Sequence, residues 1–252
     1  MTIKELKQRK QELHYTNEQI AEKSGVPLGT VQKIFSGATR YPRLETVEAI
    51  KRALYPANFT VNEPVAEYGS FNYDRQGSYT VDDYRALPDW PRHELIDGEL
   101  IVMEAPTTSH QRVLGRLFLL FSQLAADHPE CEVFIAPVDV QLDRDNKTNV
   151  QPDVMIICDE EKVTERNIFG APDLVVEITS PSSVQRDSFV KLKKYKNAGV
   201  REYWLINLQT RVVVTYLFGD PDQCGIYGFD SVVPVGICNG AAVDFKKVTK
   251  GL

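Results

Sequence analysis

Two carboxylates stand inside β-rich runs of apolar residues: Asp153 in Gln151-Pro152-Asp153, and Glu177 in Asp173-Leu174-Val175-Val176-Glu177-Ile178-Thr179. A strand period of two puts Val175, Glu177 and Thr179 on one face of the second run, with Leu174, Val176 and Ile178 on the other. A polar group in such a strand costs about 2–7 kcal/mol if it is buried without a partner. A divalent metal is the strongest compensating partner. Two acids on adjacent strands with a following lysine form the layout of a metal-dependent phosphodiesterase. The alternative for either acid is an ordinary ion pair or a strand end.

The elements that must position these acids belong to a chain of 252 residues, enough for one large domain or two smaller ones. Its apolar and charged fractions, 42% and 25%, are those of a soluble globular protein. No apolar run reaches the roughly 20 residues of a membrane span, and the N-terminal residues lack a signal-peptide layout, so a cytoplasmic location is expected. Cys131, Cys158, Cys224 and Cys238 are scattered without a CxxC pair. This argues against a structural zinc and for free thiols. The net charge of −6 conceals a split. Residues 1–56 carry ten Lys/Arg against six Asp/Glu, and the remainder nineteen against twenty-nine. A basic head on an acidic body assigns phosphate binding to the head.

In the head, Thr16 and Gln19 stand at capping-box spacing and open a helix that Gly25 ends. Pro27 opens the next helix and Gly37 closes it, and Leu44, Val47, Ile50 and Leu54 give a last helix its core stripe. The order Gln19-x-Ala21-x-x-x-Gly25-Val26-x-x-x-x-Val31-x-x-Ile34 resembles a helix-turn-helix of the Xre/Cro repressor type. The resemblance implies that Gly29, Thr30, Gln32 and Lys33 face DNA in the major groove, with Arg40 and Arg43 on its backbone. An ordinary solvated face is the alternative for Gln32 and Lys33. Residues 57–78 show no sustained period and read as a linker, with Phe59, Phe71 and Tyr73 available to dock it.

The domain expected over 79–252 opens with a short capped helix at Thr80. Asp97-Gly98 then marks a two-residue hairpin between apolar runs. A long helix spans 109–126, with Val113, Leu114, Leu117, Leu120, Phe121 and Leu124 inward. Strands are expected over 132–142, 150–158 and 174–179, a helix over 182–197, and strands over 202–207 and 211–218. This predicts a two-domain α+β/α/β chain: a small all-α helix-turn-helix head and a mixed β-sheet flanked by helices.

His93-Glu94-Leu95-Ile96-Asp97-Gly98-Glu99, Gln151-Pro152-Asp153, Ala171-Pro172-Asp173-Leu174-Val175-Val176-Glu177, Ser180-Pro181-Ser182-Ser183 and Gly199-Val200-x-Glu202-Tyr203-Trp204 resemble the Uma family of restriction endonucleases in the PD-(D/E)XK superfamily. The likeness covers roughly residues 79–220. It implies a restriction-endonuclease-like fold and metal ligation by Asp153 and Glu177. The superfamily lysine two residues after the glutamate is replaced by Thr179. The resemblance moves that role to Lys191 on the following helix, where Asp187, Lys191 and Tyr195 form one stripe. Lys193 and Lys194 are competitors, and an exposed Asp187–Lys191 pair worth about 0.2–0.5 kcal/mol is the plainer reading. Glu94 is a third metal ligand or merely flanks the cluster. His110 is a phosphate or water contact, or a neutral imidazole bonded to backbone.

The expected activity is therefore a Mg²⁺- or Mn²⁺-dependent DNA endonuclease targeted by its head and acting as a homodimer. The rival is a DNA-binding regulator whose nuclease-like body is inactive and serves partner binding or dimerisation. Whether the substrate is duplex DNA, branched DNA or RNA is open.

Overall fold

The computed structural model describes residues 3–13, 15–39, 42–54, 73–142, 146–219, 221–238 and 240–252. The head is four helices: α1 (Ile3–Glu12), α2 (Asn17–Ser24), α3 (Leu28–Ser36) and α4 (Leu44–Leu54). Thr16 accepts from the Gln19 amide while the Gln19 side chain accepts from the Thr16 amide, which is the expected capping box. Gly25 and Gly37 end α2 and α3 at φ 70° and 85°, the left-handed region that glycine enters without a Cβ penalty. Leu6, Ile20, Val31, Ile34, Val47, Ile50 and Leu54 are buried together as the head's core.

The body begins with α5 (Val81–Arg85), capped by Thr80, and the hairpin β1 (His93–Ile96) and β2 (Glu99–Val102). Asp97 and Gly98 both take positive φ, 52° and 79°, the signature of a type I′ turn. The chain continues through α6 (Thr108–Ala125), β3 (Glu132–Ile135), β4 (Val140–Gln141), β5 (Val154–Ile157), a 3₁₀ turn (Glu160–Lys162), β6 (Ile168–Phe169) and β7 (Leu174–Thr179). A π-helical turn (Arg186–Lys191) runs directly into α7 (Leu192–Ala198). Then come β8 (Glu202–Asn207), β9 (Val212–Leu217), β10 (Gln223–Gly228), β11 (Val232–Pro234), β12 (Ala242–Asp244) and α8 (Phe245–Val248).

Six strands form one mixed sheet in the order β10-β9-β8-β7-β5-β3. Only β7 and β8 run parallel, because the helical segment between them carries the chain back to its starting edge. Alternation along β7 and β8 builds two cores. Leu174, Val176, Ile178, Trp204 and Ile206 meet Val113, Leu114, Leu117 and Phe121 of α6, each of those α6 side chains contributing roughly 1.5–3 kcal/mol by burial. Val175, Tyr203 and Leu205 on the other face meet Leu192 and Tyr195 of α7.

Several expectations need correction. The strand expected over 132–142 breaks after Ile135, and Val140–Gln141 pairs instead with β6 outside the main sheet. The expected 182–197 helix contains the π-turn. Cys131 and Cys158 are not free thiols but a disulfide. They sit one step beyond the Glu132↔Ile157 pair at the ends of adjacent strands, a proximity that a separation of 27 residues conceals. Strands β10 to β12 and α8 were not anticipated; β10 carries glycine inside it and at its end, and β11, β12 and α8 are only three or four residues long. Residues 73–78, expected as the end of a linker, are bonded to the hairpin, the Gly77 and Tyr79 amides donating to the Gly98 carbonyl. Phe59, Phe71, Arg40 and linker positions 57–72 lie outside the described residues.

The hairpin's attachment is sterically exact at Gly98, where a Cβ would lie 2.6 Å from the Gly77 carbonyl oxygen. Gly98→Ala therefore adds backbone strain to a backbone clash. Urea unfolding is expected to show a loss of about 2–4 kcal/mol, and an unchanged midpoint would contradict this packing.

Candidate functional site

The pairing of β5 with β7 sets the site. Val154 opposes Val176, so one step further Asp153 faces Glu177. Asp153 Oδ2 accepts from the Ile178 amide at 2.7 Å and lies 3.1 Å from His110 Nε2. His110 reaches it from the first turn of α6, where Thr107 caps the helix by accepting from the His110 amide. Its imidazole is thus paired with a carboxylate, a partner that neither sequence expectation for it, backbone bonding or a water or phosphate contact, had named.

Glu94 arrives from another direction. Leu95 and Asn149 exchange backbone hydrogen bonds at 2.7 and 2.8 Å, which holds β1 against the strand leading to Asp153. The Gln151 amide then donates to Glu94 Oε1 at 2.9 Å. The proline at 152 cannot donate, so Gln151 carries the last amide before Asp153 able to make such a bond.

The π-turn supplies the cation. Lys191 Nζ donates to Glu94 Oε1 at 2.7 Å and Glu177 Oε1 at 3.0 Å, and lies 3.7 Å from Asp187 Oδ1. Tyr195, one turn later, donates its hydroxyl to Glu177 Oε1 at 2.6 Å. A π-turn inserts a residue into the helical register and often accompanies functional sites; here Asp187, Lys191 and Tyr195 all point at one cluster. Lys193 is exposed and Lys194 pairs with Asp97, so neither competitor reaches Glu177. Thr179 is buried and donates to the Ile206 carbonyl, a structural bond within the sheet.

The cluster is nearly dry, with Glu94, Glu177, Asp187 and Lys191 exposed by 0%, 5%, 3% and 3%. Burial would push the Lys191 ammonium toward neutrality, but Glu177, Glu94 and Asp187 outweigh it and hold the pKa above its usual value. Burial raises the Glu177 carboxyl well above the usual carboxylate range, against the pull of Lys191 and with help from Asp187, Asp153 and Glu94. Asp187 is raised for the same first reason. Arg186 Nε stands 4.0 Å from Glu94 Oε2. Glu94, Asp153, Glu177 and Asp187 thus outnumber the two cationic side chains among them, Lys191 and Arg186.

Two buried oxygens, Glu94 Oε2 and Asp187 Oδ1, have no hydrogen-bond donor. An all-oxygen set with surplus acceptors fits a hard divalent cation. Among the described residues, however, no three acidic, histidine or cysteine side chains converge as a complete ligand cage. Water would have to complete the shell. Asp153, with 15% of its side chain exposed, is the member that opens to solvent.

In the head, Gly29, Gln32 and Lys33 are exposed and Thr30 half-buried, all four on α3, and Arg43 is exposed outside it. Arg43 immediately precedes α4, and its backbone bridges to Gln223 on the sheet's edge strand. Sequence reasoning missed Arg186, the Gln151 amide and this contact. The family resemblance and the spacing of Asp187, Lys191 and Tyr195 were the signals for the cation-bearing turn.

A family model described as "Putative restriction endonuclease", Uma2, matches residues 81–227, and a helix-turn-helix model matches residues 6–54. The chain belongs to the Uma2 family. It is 28% identical over 117 residues to the uncharacterized protein slr1290 of Synechocystis sp., a match covering 46% of this chain and 60% of that relative's length. A crystal structure described as a "putative nuclease belonging to DUF820" from Anabaena variabilis superposes with a TM-score of 0.57 at 20% identity, over 68% of this chain and 97% of that one. That likeness establishes the restriction-endonuclease-like fold. Among the described residues, no helix is long and apolar enough to cross a membrane.

Two substitutions separate the cluster's charges. The folded-state pKa of Glu177 lies above its unfolded value, so the ionised carboxylate is a cost that grows as pH rises from about the unfolded pKa through the folded one. Glu177→Gln is therefore expected to raise Tm at pH 8 and to lose that advantage near pH 4. The rise should be about 2–4 °C per kcal/mol relieved, and thermal melts of both proteins across pH check the crossover. Lys191→Met leaves buried carboxylates without their ammonium. Denaturant unfolding at neutral pH is expected to show a loss of about 3–5 kcal/mol.

Proposed function

We propose that the chain is a metal-dependent DNA endonuclease whose helix-turn-helix head brings the body to DNA. The observation that carries this reading is Lys191 bonded to both Glu94 and Glu177 in a buried, acid-rich cluster beside the solvent-reaching Asp153. A structural ion pair needs one partner of each sign; a surplus of acids costs stability and calls for a function.

The reaction is hydrolysis of a phosphodiester: water adds to phosphorus, one ester P–O bond breaks, and a phosphate monoester and a hydroxyl remain. Asp153 and Glu177, with water completing the shell, are the residues that would hold Mg²⁺ or Mn²⁺. When bound, the ion polarises the phosphate and lowers the pKa of a coordinated water. Lys191 keeps its positive charge across the physiological range and offsets the negative charge that builds on the phosphate in the transition state. Glu94 and Tyr195 fix where that charge sits, Glu94 by sharing the ammonium and Tyr195 by binding Glu177. His110 orients Asp153 from the opposite side, so that both Asp153 and Glu177 are held by their neighbours before any substrate arrives.

Gly29, Thr30, Gln32 and Lys33 of the head would contact the duplex, with Arg40 and Arg43 reaching its backbone. Tethering raises the local concentration of DNA at a body whose own charge repels it. Cutting both strands needs two such sites, which makes a homodimer the expected working form. In the opposing reading, a DNA-binding regulator with an inert body, the Lys191 ion pairs serve only structure.

Supercoiled plasmid is expected to be nicked with Mg²⁺ or Mn²⁺ and left intact with EDTA. Asp153→Asn and Lys191→Met should each lower the rate by about 10²–10³-fold, and calorimetric metal binding should weaken in Asp153→Asn and persist in Lys191→Met. Wild-type protein that neither binds metal nor nicks plasmid would leave the regulator as the reading.

A further inference from the structure

The head touches the body at the segment that aims Lys191. Lys51 of α4 is buried, 5% exposed, although it carries a charge in a small basic domain. Its ammonium donates to the carbonyl of Ser188, inside the π-turn, and lies 3.3 Å from the centroid of the Phe189 ring in the same turn. Two further features lie along this seam. Arg43 pairs with Gln223 of β10. Lys196 of α7 is bonded to Asp222, and Glu48 and Glu45 of α4 add to the negative surroundings that raise its pKa. The docked face of the head is therefore α4 and its leading residue, whereas Gly29, Gln32 and Lys33 of α3 remain exposed.

A π-turn is a strained register. It closes i→i+5 hydrogen bonds, one residue wider than the α-helix that follows, and is rare outside single turns within α-helices. Losing the inserted residue would rotate Lys191 by about 100° around the helix, since an α-helix turns once in about 3.6 residues. Lys191 would then leave Glu94 and Glu177. A charged donor on a carbonyl of that turn, with its cation over an adjoining ring, is a bond of the strong class. It comes from another domain.

We propose that Lys51 is a positioning residue for the nuclease reaction: the docked head clamps the π-turn and so holds Lys191 between Glu94 and Glu177. The inference rests on the nuclease reading for its catalytic consequence, but not for its structural one. It makes the head part of the active site as well as its targeting module. Because docking uses α4 and leaves the α3 face open, the head can hold DNA and the turn at once.

The test uses the full chain with Lys51→Met, which keeps the aliphatic stem, and Lys51→Arg, which restores a charged donor. Phe189→Leu removes the ring from the body's side and leaves the head's own core untouched. Amide exchange and the ¹⁵N signal of the Lys191 ammonium are read first. In Lys51→Met, amides of residues 186–192 are expected to exchange about 10-fold faster and the Lys191 signal to shift or broaden, while α2, α3 and the central strands keep their protection. Phe189→Leu should move both in the same direction, and Lys51→Arg should return them toward wild type. Plasmid nicking should show kcat falling about 10-fold with KM within about twofold. Unchanged exchange at 186–192 and an unmoved Lys191 signal in a folded Lys51→Met protein would overturn the clamp. Faster exchange with unaltered nicking would overturn the positioning role. A wild type that does not nick at all would sink the nuclease reading separately, and the exchange and ammonium signals would still decide the clamp.

Discussion

The Lys191 ammonium is the charge on which the rest of the body depends. It joins three parts of the chain that share no sequence neighbourhood: Glu94 on the hairpin, Glu177 in the centre of the sheet, and Asp187 on its own π-turn. An ammonium in a dry interior is expensive unless it is paired and hydrogen-bonded, and so is each carboxylate. Neither side of the cluster can be buried without the other. The hairpin, the central strand and the crossover helix must therefore come together as a set. The backbone bonds of Leu95 with Asn149, and of Gln151 with Glu94, are the framework that makes this convergence possible.

The balance within the cluster is deliberately incomplete in its physical effect. Two carboxylate oxygens lack donors, and carboxyl groups outnumber the cationic side chains. A protein built for stability alone would do better with apolar side chains of similar volume at these positions. Asp153 is the member of the group that meets solvent. Incompletely paired, perturbed acids within reach of solvent are the physical mark by which a candidate site is recognised.

Glu202 shows why burial of an acid in a strand is not by itself such a mark. Like Glu177 it lies in an apolar strand of the central sheet and is almost fully buried. Its two oxygens, however, accept from the Trp204 indole at 2.6 Å and from the Ile237 amide at 2.9 Å, so neutral donors of the chain satisfy it and it ties the C-terminal segment to the sheet. Glu177 is instead met by an ammonium and a phenol from the crossover helix. The two acids look alike as sequence. What distinguishes them is the chemistry of the donors that tertiary packing brings to each.

The local half of this protein was legible in its residues. Periodicity, the capping boxes at Thr16 and Thr80, the Asp97-Gly98 turn and the apolar stripe of α6 act over a few neighbouring residues, so the chain declares them wherever it lies. The facing of Asp153 and Glu177, and the choice of Lys191 over Lys193 and Lys194, were readable only with help from resemblance and helical spacing. What the residues could not declare was whatever depends on two distant segments meeting. The Cys131–Cys158 disulfide follows from the register of β3 with β5, the π-turn from the demands of a cluster built across three elements, and the seating of Lys51 from the docking of one domain on another. Pattern carries local preference; register, helical phase and domain contact are settled by the packing of the whole chain, because only there do the competing costs of burial and charge meet.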